Sequence, residues 1–297
     1  MKAVLKTGFA TFCLAAGTAW SAPITFNTAL PVHEGGYLLR EQFVFMKNVD
    51  DSTSVGRNME AIGLVSVLGY GVTRDFALFG MLPYFDKRLD VRMGGQDISR
   101  SQSGFGDLTL LGRYTAYEYN APGQTLRVAP FLGIKAPTGE DHAHDGMGRL
   151  PPPLQPGSGS WDVLGGIVLT YQKLDFQIDS QVNYKASREA NGFQAGNVAS
   201  LDSSLQYRIW PHNLGAGVPA FLYGVLEANL VHSAKDRSGG AEDPNSGGTT
   251  LFITPGLQYV SQKWIVEAGV QIPVSQHLHG TTLKNDYVFT TGFRINF

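Results

Sequence analysis

Hydrophobic and polar positions alternate with a period of two over much of the chain. Between Leu174 and Lys185, one face carries Asp175, Gln177, Asp179, Gln181, Asn183 and Lys185, and the other Phe176, Ile178, Ser180, Val182 and Tyr184. An amphipathic helix, repeating every 3.6 residues, cannot sort side chains this way; a strand with one wet and one apolar face does. Further along, Leu126, Val128, Pro130, Leu132 and Ile134 oppose Thr125, Arg127, Ala129, Gly133 and Lys135. A third run sets Leu108, Leu110, Gly112, Tyr114 and Ala116 against Asp107, Thr109, Leu111, Arg113 and Thr115. The last sets Tyr287, Phe289, Thr291, Phe293, Ile295 and Phe297 against Val288, Thr290, Gly292, Arg294 and Asn296.

Such runs predict about twelve strands, a number within the range of membrane barrels. They begin near Gly35, Asn58, Phe76, Gly104, Gln124, Trp161, Leu174, Asn197, Ala220, Thr250, Trp264 and Tyr287. Connections alternate in length. Short ones fall at 71–75, 120–123, 172–173 and 261–263; long polar ones at 47–57, 93–103, 137–160, 186–196, 233–248 and 276–286; 211–219 is intermediate. A soluble β-sandwich also alternates, but it does not put its long loops systematically at one end. Aromatics near strand ends (Tyr70, Tyr84, Tyr117, Tyr119, Trp161, Tyr171, Trp210, Trp264) suit the two interfacial girdles. The fold class is therefore all-β: a closed antiparallel transmembrane β-barrel with short periplasmic turns and long extracellular loops.

Composition agrees. Only 16% of the 297 residues are charged, against a usual ~25%, while 43% are hydrophobic. Beyond residue 22 no apolar stretch approaches the ~20 residues of a spanning helix. The net charge of −2 with no long basic run gives nucleic acid nothing to grip.

The N-terminus has the parts of a secretory signal: Lys2 and Lys6, a short apolar centre at 8–16, then Ala19, Ser21 and Ala22. Residues 1–22 are expected to be removed, leaving 21 basic and 25 acidic residues and a charge near −4. Cys13, the only cysteine, leaves with them, so disulfides, thiolate metal sites and cysteine nucleophiles are excluded. Residues 23–34 form a periplasmic segment or enter the lumen as a plug, with Phe26, Leu30 and Val32 as its apolar side chains; 35–297 form the barrel. The expected location is the outer membrane.

Closure turns the polar faces inward. The lumen candidates are Arg113, Arg127, Lys135, Asp175, Asp179, Lys185, Asp202, Arg208, Glu227, Glu267 and Arg294. Both signs appear. The charges either neutralise one another in a filled interior, as in small barrels, or wet an open one. The hairpin from Met59 to Phe85 breaks the rule, being apolar or small on both faces. It either lines a path for a hydrophobic solute, through Phe79 and Met81 or Leu64 and Leu68, or packs against residues 24–34.

Catalytic chemistry is thin. The seven histidines fall mostly in loops or at strand ends, and no G-x-S-x-G motif is present. Asp141, His142, His144 and Asp145 form the sharpest cluster, which His277 and His279 could join around a divalent metal. A solvated polar loop is the other reading. Neither a catalytic residue nor a cofactor is assigned.

Three groups of residues carry a resemblance. They are 25–31 (Thr-Phe-Asn-Thr-Ala-Leu-Pro) with Gly35, Gly36 and Arg40-Glu41-Gln42; 104–108 (Gly-Phe-Gly-Asp-Leu); and 133–139 (Gly-Ile-Lys-Ala-Pro-Thr-Gly). Together the chain resembles the outer-membrane family called "MetA-pathway of phenol degradation". Phe297, ending an alternating strand, resembles the terminal signature that bacterial barrels present to their assembly machinery. The family resemblance implies passive transport of small aromatic or hydrophobic solutes, with membrane lipid, assembly machinery and the solute as partners. The alternatives are a generic pore for polar solutes, a closed structural or surface-binding barrel, and an outer-membrane hydrolase.

Overall fold

The computed structural model describes residues 21–297 except Asp50, Ser54, Gly94 and 214–219. Most of the expected signal segment, Cys13 included, lies outside them. Among the described residues, twelve strand positions follow one another up and down. They are β1 (Tyr37–Asn48), β2 (Asn58–Gly71), β3 (Phe76–Met93), β4 in three pieces (Gln96–Phe105, Leu108–Tyr114, Tyr117–Ala121), β5 (Gln124–Ala136) and β6 (Asp162–Lys173). The second half holds β7 (Phe176–Ala186), β8 (Val198–Trp210), β9 (Ala220–Ser233), β10 (Gly248–Ser261), β11 (Trp264–Leu278) and β12 (Tyr287–Asn296). Each pairs antiparallel with its chain neighbours. The sheet closes where β12 meets β1, from Leu38 opposite Asn296 to Lys47 opposite Tyr287. It is a closed antiparallel barrel.

The barrel is apolar outside and polar inside. Leu132, Val182, Ile167 and Leu257 are more than half exposed, whereas Gln177, Asp179, Gln206, Glu227, Gln258 and Glu267 are fully buried. In water, a continuous belt of exposed aliphatics would drive aggregation. Against hydrocarbon it costs nothing, and closure leaves no strand edge with unpaired backbone groups. Aromatics ring both ends of the belt. Tyr37 packs on Tyr70 and Phe297, and Tyr259 on Trp264, at the periplasmic end; Phe45 packs on Tyr287, and Tyr84 on Phe105, at the other. This is an outer-membrane barrel.

The fourth strand departs from expectation. It starts at Gln96 and not near Gly104, so the loop expected at 93–103 is a continued hairpin, turned at Gly95 with φ of 83°. Apart from Ile98, its residues 96–103 are polar on both faces. Above the membrane both faces meet water, and period-two contrast disappears. On the hairpin from Met59 to Phe85 the structure separates the two alternatives for an inward apolar surface. On β2 the outward positions are Leu64 and Leu68, both exposed to lipid, while Ala61 is buried inside. On β3, Ala77 is buried, and Arg113 stacks on Phe79 at 4.8 Å from inside. The lumen thus receives Phe79 and Met81 but neither leucine. Phe131, on the polar side of β5, also points inward and is buried.

One lipid-facing position is costly. On β1, Tyr37 and Phe43 are exposed outward, which puts Glu41 outward too, four residues from each of Tyr37 and Phe45. Its carboxylate accepts the Ser66 hydroxyl at 2.7 Å, midway between the girdles. A carboxyl group there destabilises the barrel, though less than a midplane Arg or Lys. Glu41→Leu should therefore raise the unfolding free energy in phospholipid vesicles by about 1–2 kcal/mol, read from reversible urea titration. A fall in stability would mean that Glu41 serves a favourable contact in the membrane.

Candidate functional site

The lumen has two storeys. The lower one is occupied by residues 21–34, which enter ahead of β1 and thread inside the sheet. Ala22, Ile24, Ala29, Leu30 and Val32 are buried there. An extended segment brings backbone donors and acceptors that find no ladder partner, and each buried one must be paired. The wall supplies the partners. Glu227 on β9 accepts from Ile24 N at 2.7 Å and Thr25 N at 3.1 Å, and also from the Thr25 hydroxyl. Gln258 on β10 mimics a peptide towards Ala22, the last residue of the expected signal segment, accepting from its N at 3.2 Å and donating to its O at 2.9 Å, a contact that removal of residues 1–22 would delete. Arg40 on β1 donates to the carbonyls of Pro23 and Ile24 while pairing with buried Glu267 at 2.6 Å. Gln42 adds a bond to Ile24 O at 2.9 Å. On the far wall Thr170 accepts from Ala29 N, and Arg113 donates to Thr28 O and Leu30 O. The segment is held from all round.

Apolar contacts complete the seat. Ala29 packs with Ala129, Phe131 and Val168. Ile24 sits over Gly256 and Gly269, paired residues of β10 and β11. A Cβ on Gly256 would lie 2.6 Å from the Ile24 side chain, so this socket exists only with glycine.

The upper storey is a cavity of about 700 Å³ beneath the long connection at 137–161. One wall is apolar, built by Met81, Pro83 and Phe85 of β3 with Leu150, Pro152, Pro153 and Pro156 of the overhanging loop. The other carries Asp107, Lys135, Asp162, Lys185 and Arg188, while Lys87 stands on β3 beside Phe85. At its floor Lys135 bridges Asp107 at 3.0 Å and Asp162 at 2.8 Å. Asp107 also accepts from Gly139 N and from Ser158. Glycine is needed where the loop doubles back: a Cβ on Gly157 would be 2.5 Å from Gly139. In the loop, burial works against the charge of Asp141, but hydrogen bonds from His142 and Asn191 hold its carboxyl below the ordinary carboxylate range.

The expected lumen residues distribute between these storeys. Arg113, Asp179, Asp202, Glu227, Glu267 and Arg294 are buried on the inner face around or beside the threaded segment. Asp179 accepts from Thr170 and Gln177, and Asp202 from Asn229 and Ser200. Lys135 and Lys185 line the upper cavity. Arg127 pairs with Glu118 at 2.9 Å on the periplasmic part of β5. Asp175 corrects the expectation. It lies in the turn between β6 and β7, mostly exposed, and pairs with Arg208 at the rim of the barrel. Its place in the alternating run hid the turn, because a two-residue reversal there does not interrupt the pattern.

The polar loop cluster is only partly assembled. Glu140, Asp141 and His142 bring ligand atoms within 4.8 Å of one another. His144 sits in a short hairpin, His277 meets Ser275, and His279 meets Ser246 O; none joins that group. Sequence reasoning missed Arg40, Gln42, Thr170 and Gln258 as anchors. Their signal was present, since each is a polar residue on an inward parity.

Glu227 is the anchor whose loss is most informative. Glu227→Ala leaves two buried N–H groups of residues 24–25 without acceptors, at about 1–3 kcal/mol each. The segment should disengage and single-channel conductance in planar bilayers should rise several-fold. Unchanged conductance would show that the segment does not limit the path.

The family model described as "Putative MetA-pathway of phenol degradation" matches residues 47–281. No curated protein matches the chain. An outer membrane channel from Pseudomonas putida F1 is similar in structure, at 12% identity and a TM-score of 0.67 over 91% of this chain and 98% of that one. The β domain of the Bordetella autotransporter BrkA is similar at 13% identity and a TM-score of 0.49, over 89% and 100%. The porin NanC follows at 9% identity and a TM-score of 0.41, over 87% and 98%. With a lipid-belted closed barrel and a family match over most of its length, the chain belongs to the family of barrels described as "Putative MetA-pathway of phenol degradation".

Proposed function

We propose that the protein is a passive channel for small aromatic or otherwise apolar solutes, not an enzyme. The observation that carries this reading is the inward apolar face of β2 and β3. Val65 and Val67 stand beside Ala77, Phe79, Met81, Pro83 and Phe85, and the last three continue into the upper cavity. A strip of that kind lets a poorly hydrated solute travel beside a wall that does not compete for water. The route enters at the cavity and leaves past residues 21–34, so displacement of that segment sets the flux. Membrane insertion relies on assembly machinery recognising the last strand, with Phe297 as its terminal residue.

Against catalysis stands the geometry of the histidines. Among the described residues, His142 bonds a carboxylate, and His232 and His277 meet hydroxyls, but no ring bonds both. A base oriented by an acid beside a nucleophile is the minimum for hydrolysis. A generic polar pore is the second reading. It is favoured by the opposite wall, where Gln177, Asp179, Gln206 and Glu227 are buried on the inner face.

Uptake into proteoliposomes decides between them. Labelled phenol should enter faster than into empty vesicles, and Met81→Asp, in the lumen, should cut that rate at least threefold. Leu68→Asp, on the lipid face, should leave the rate of correctly inserted protein unchanged. Phenol entry equal to that of empty vesicles, with rapid entry of arabinose, would replace the apolar route by the generic pore.

A further inference from the structure

The upper cavity contains an imbalance that a neutral solute does not use. Its carboxylates are satisfied. Asp107 and Asp162 share Lys135, and each accepts further bonds, Asp107 from Ser158 and Asp162 from Ser160 and Arg188 N. Asp141 accepts from Asn191, and Asp236 from Gly196 N at 2.7 Å. The cations are not satisfied. Lys185 Nζ has no hydrogen-bond or ion-pair partner among the described residues, and Asp162 and Asp236 act on it only through space. The Arg188 guanidinium is equally without a partner there. Lys87 Nζ donates to one carbonyl, Gln155 O at 2.7 Å, and lies 5.3 Å from the Phe85 ring centre.

Three cations with spare donors therefore line the same cavity as the apolar wall, Lys185 and Arg188 on other elements and Lys87 on β3 itself beside Phe85. An ammonium partly withdrawn from water gains most from an ionised acceptor. The volume of about 700 Å³ falls within the range of small-molecule sites. We propose that this cavity is a binding site for a small aromatic carboxylate. The ring lies against Met81, Pro83 and Phe85, and the carboxylate meets the lysine side. The inference rests on the channel reading for its purpose, since it names the solute class that the vestibule concentrates. Binding itself does not require the path to be open.

The test separates the two. Benzoate and benzyl alcohol, which share a ring and differ in charge, are titrated calorimetrically into the full chain in detergent micelles. Benzoate should bind at least tenfold more tightly than the alcohol and weaken as salt is raised. Lys185→Gln removes a side chain that holds no part of the structure, so it should weaken benzoate about tenfold and leave benzyl alcohol unchanged. Lys87→Gln should do the same, with near-native circular dichroism confirming that the Gln155 contact is not needed for folding. Equal binding of the two probes, binding of neither, or indifference to Lys185→Gln would overturn the proposal. Arabinose flux is measured in parallel. Flux without benzoate binding removes this inference alone; benzoate binding without flux of any solute removes the channel reading alone.

Discussion

Hydrocarbon offers no acceptor for a backbone N–H, and every other feature of this protein follows from that. The sheet must pair each strand on both sides, and with twelve strands in sequence the last has only the first left to pair with. Closure then divides every strand into a face that meets lipid and a face that meets the interior. The interior inherits the polar set. A narrow lumen lined by Gln177, Asp179, Glu227 and Gln258 would be a costly place for dry polar groups. The threaded segment answers that cost, because its backbone needs the same partners the wall has to offer. Wall and segment solve one another's hydrogen-bonding problem.

The same constraint explains what the sequence made legible. Where a strand lies between lipid and lumen, contrast between its faces is enforced, and the runs on β5, β7 and β12 announce themselves. Where both faces are wet, as at residues 96–103, the contrast vanishes and the strand reads as loop. Where both faces are apolar, as on β2 and β3, period two persists in geometry but not in composition. Leu64 and Leu68 could then be sorted from Phe79 and Met81 only by the register of the pairing. The identity of the anchors was illegible for another reason. Arg40 and Gln258 are separated by most of the chain, and only closure brings them to the same turn of residues 22–24.

The segments that carry the family resemblance look structural when read singly and take on a different meaning in space. Residues 104–108 and 133–139 converge on one ion pair, Asp107 with Lys135, and on the glycines that let the loop pass over it. Residues 25–31 and Arg40-Glu41-Gln42 converge on the lower storey, with Glu41 the exception that points to lipid. The resemblance therefore spans both storeys of the lumen, one segment pair at each.

The seam between β1 and β12 sets the order in which this molecule can be made. Its two strands are the most distant in the chain, so their pairing pays the largest loop-closure entropy and comes late. Residues 21–34 contact strands on both sides of the unclosed sheet, Arg40 and Gln42 near one end and Glu227 and Gln258 nearer the other. A segment that binds both margins shortens the search between them. In the closed barrel it sits like a mandrel: the sheet wraps around it, and strands on either side of the seam are held to one core.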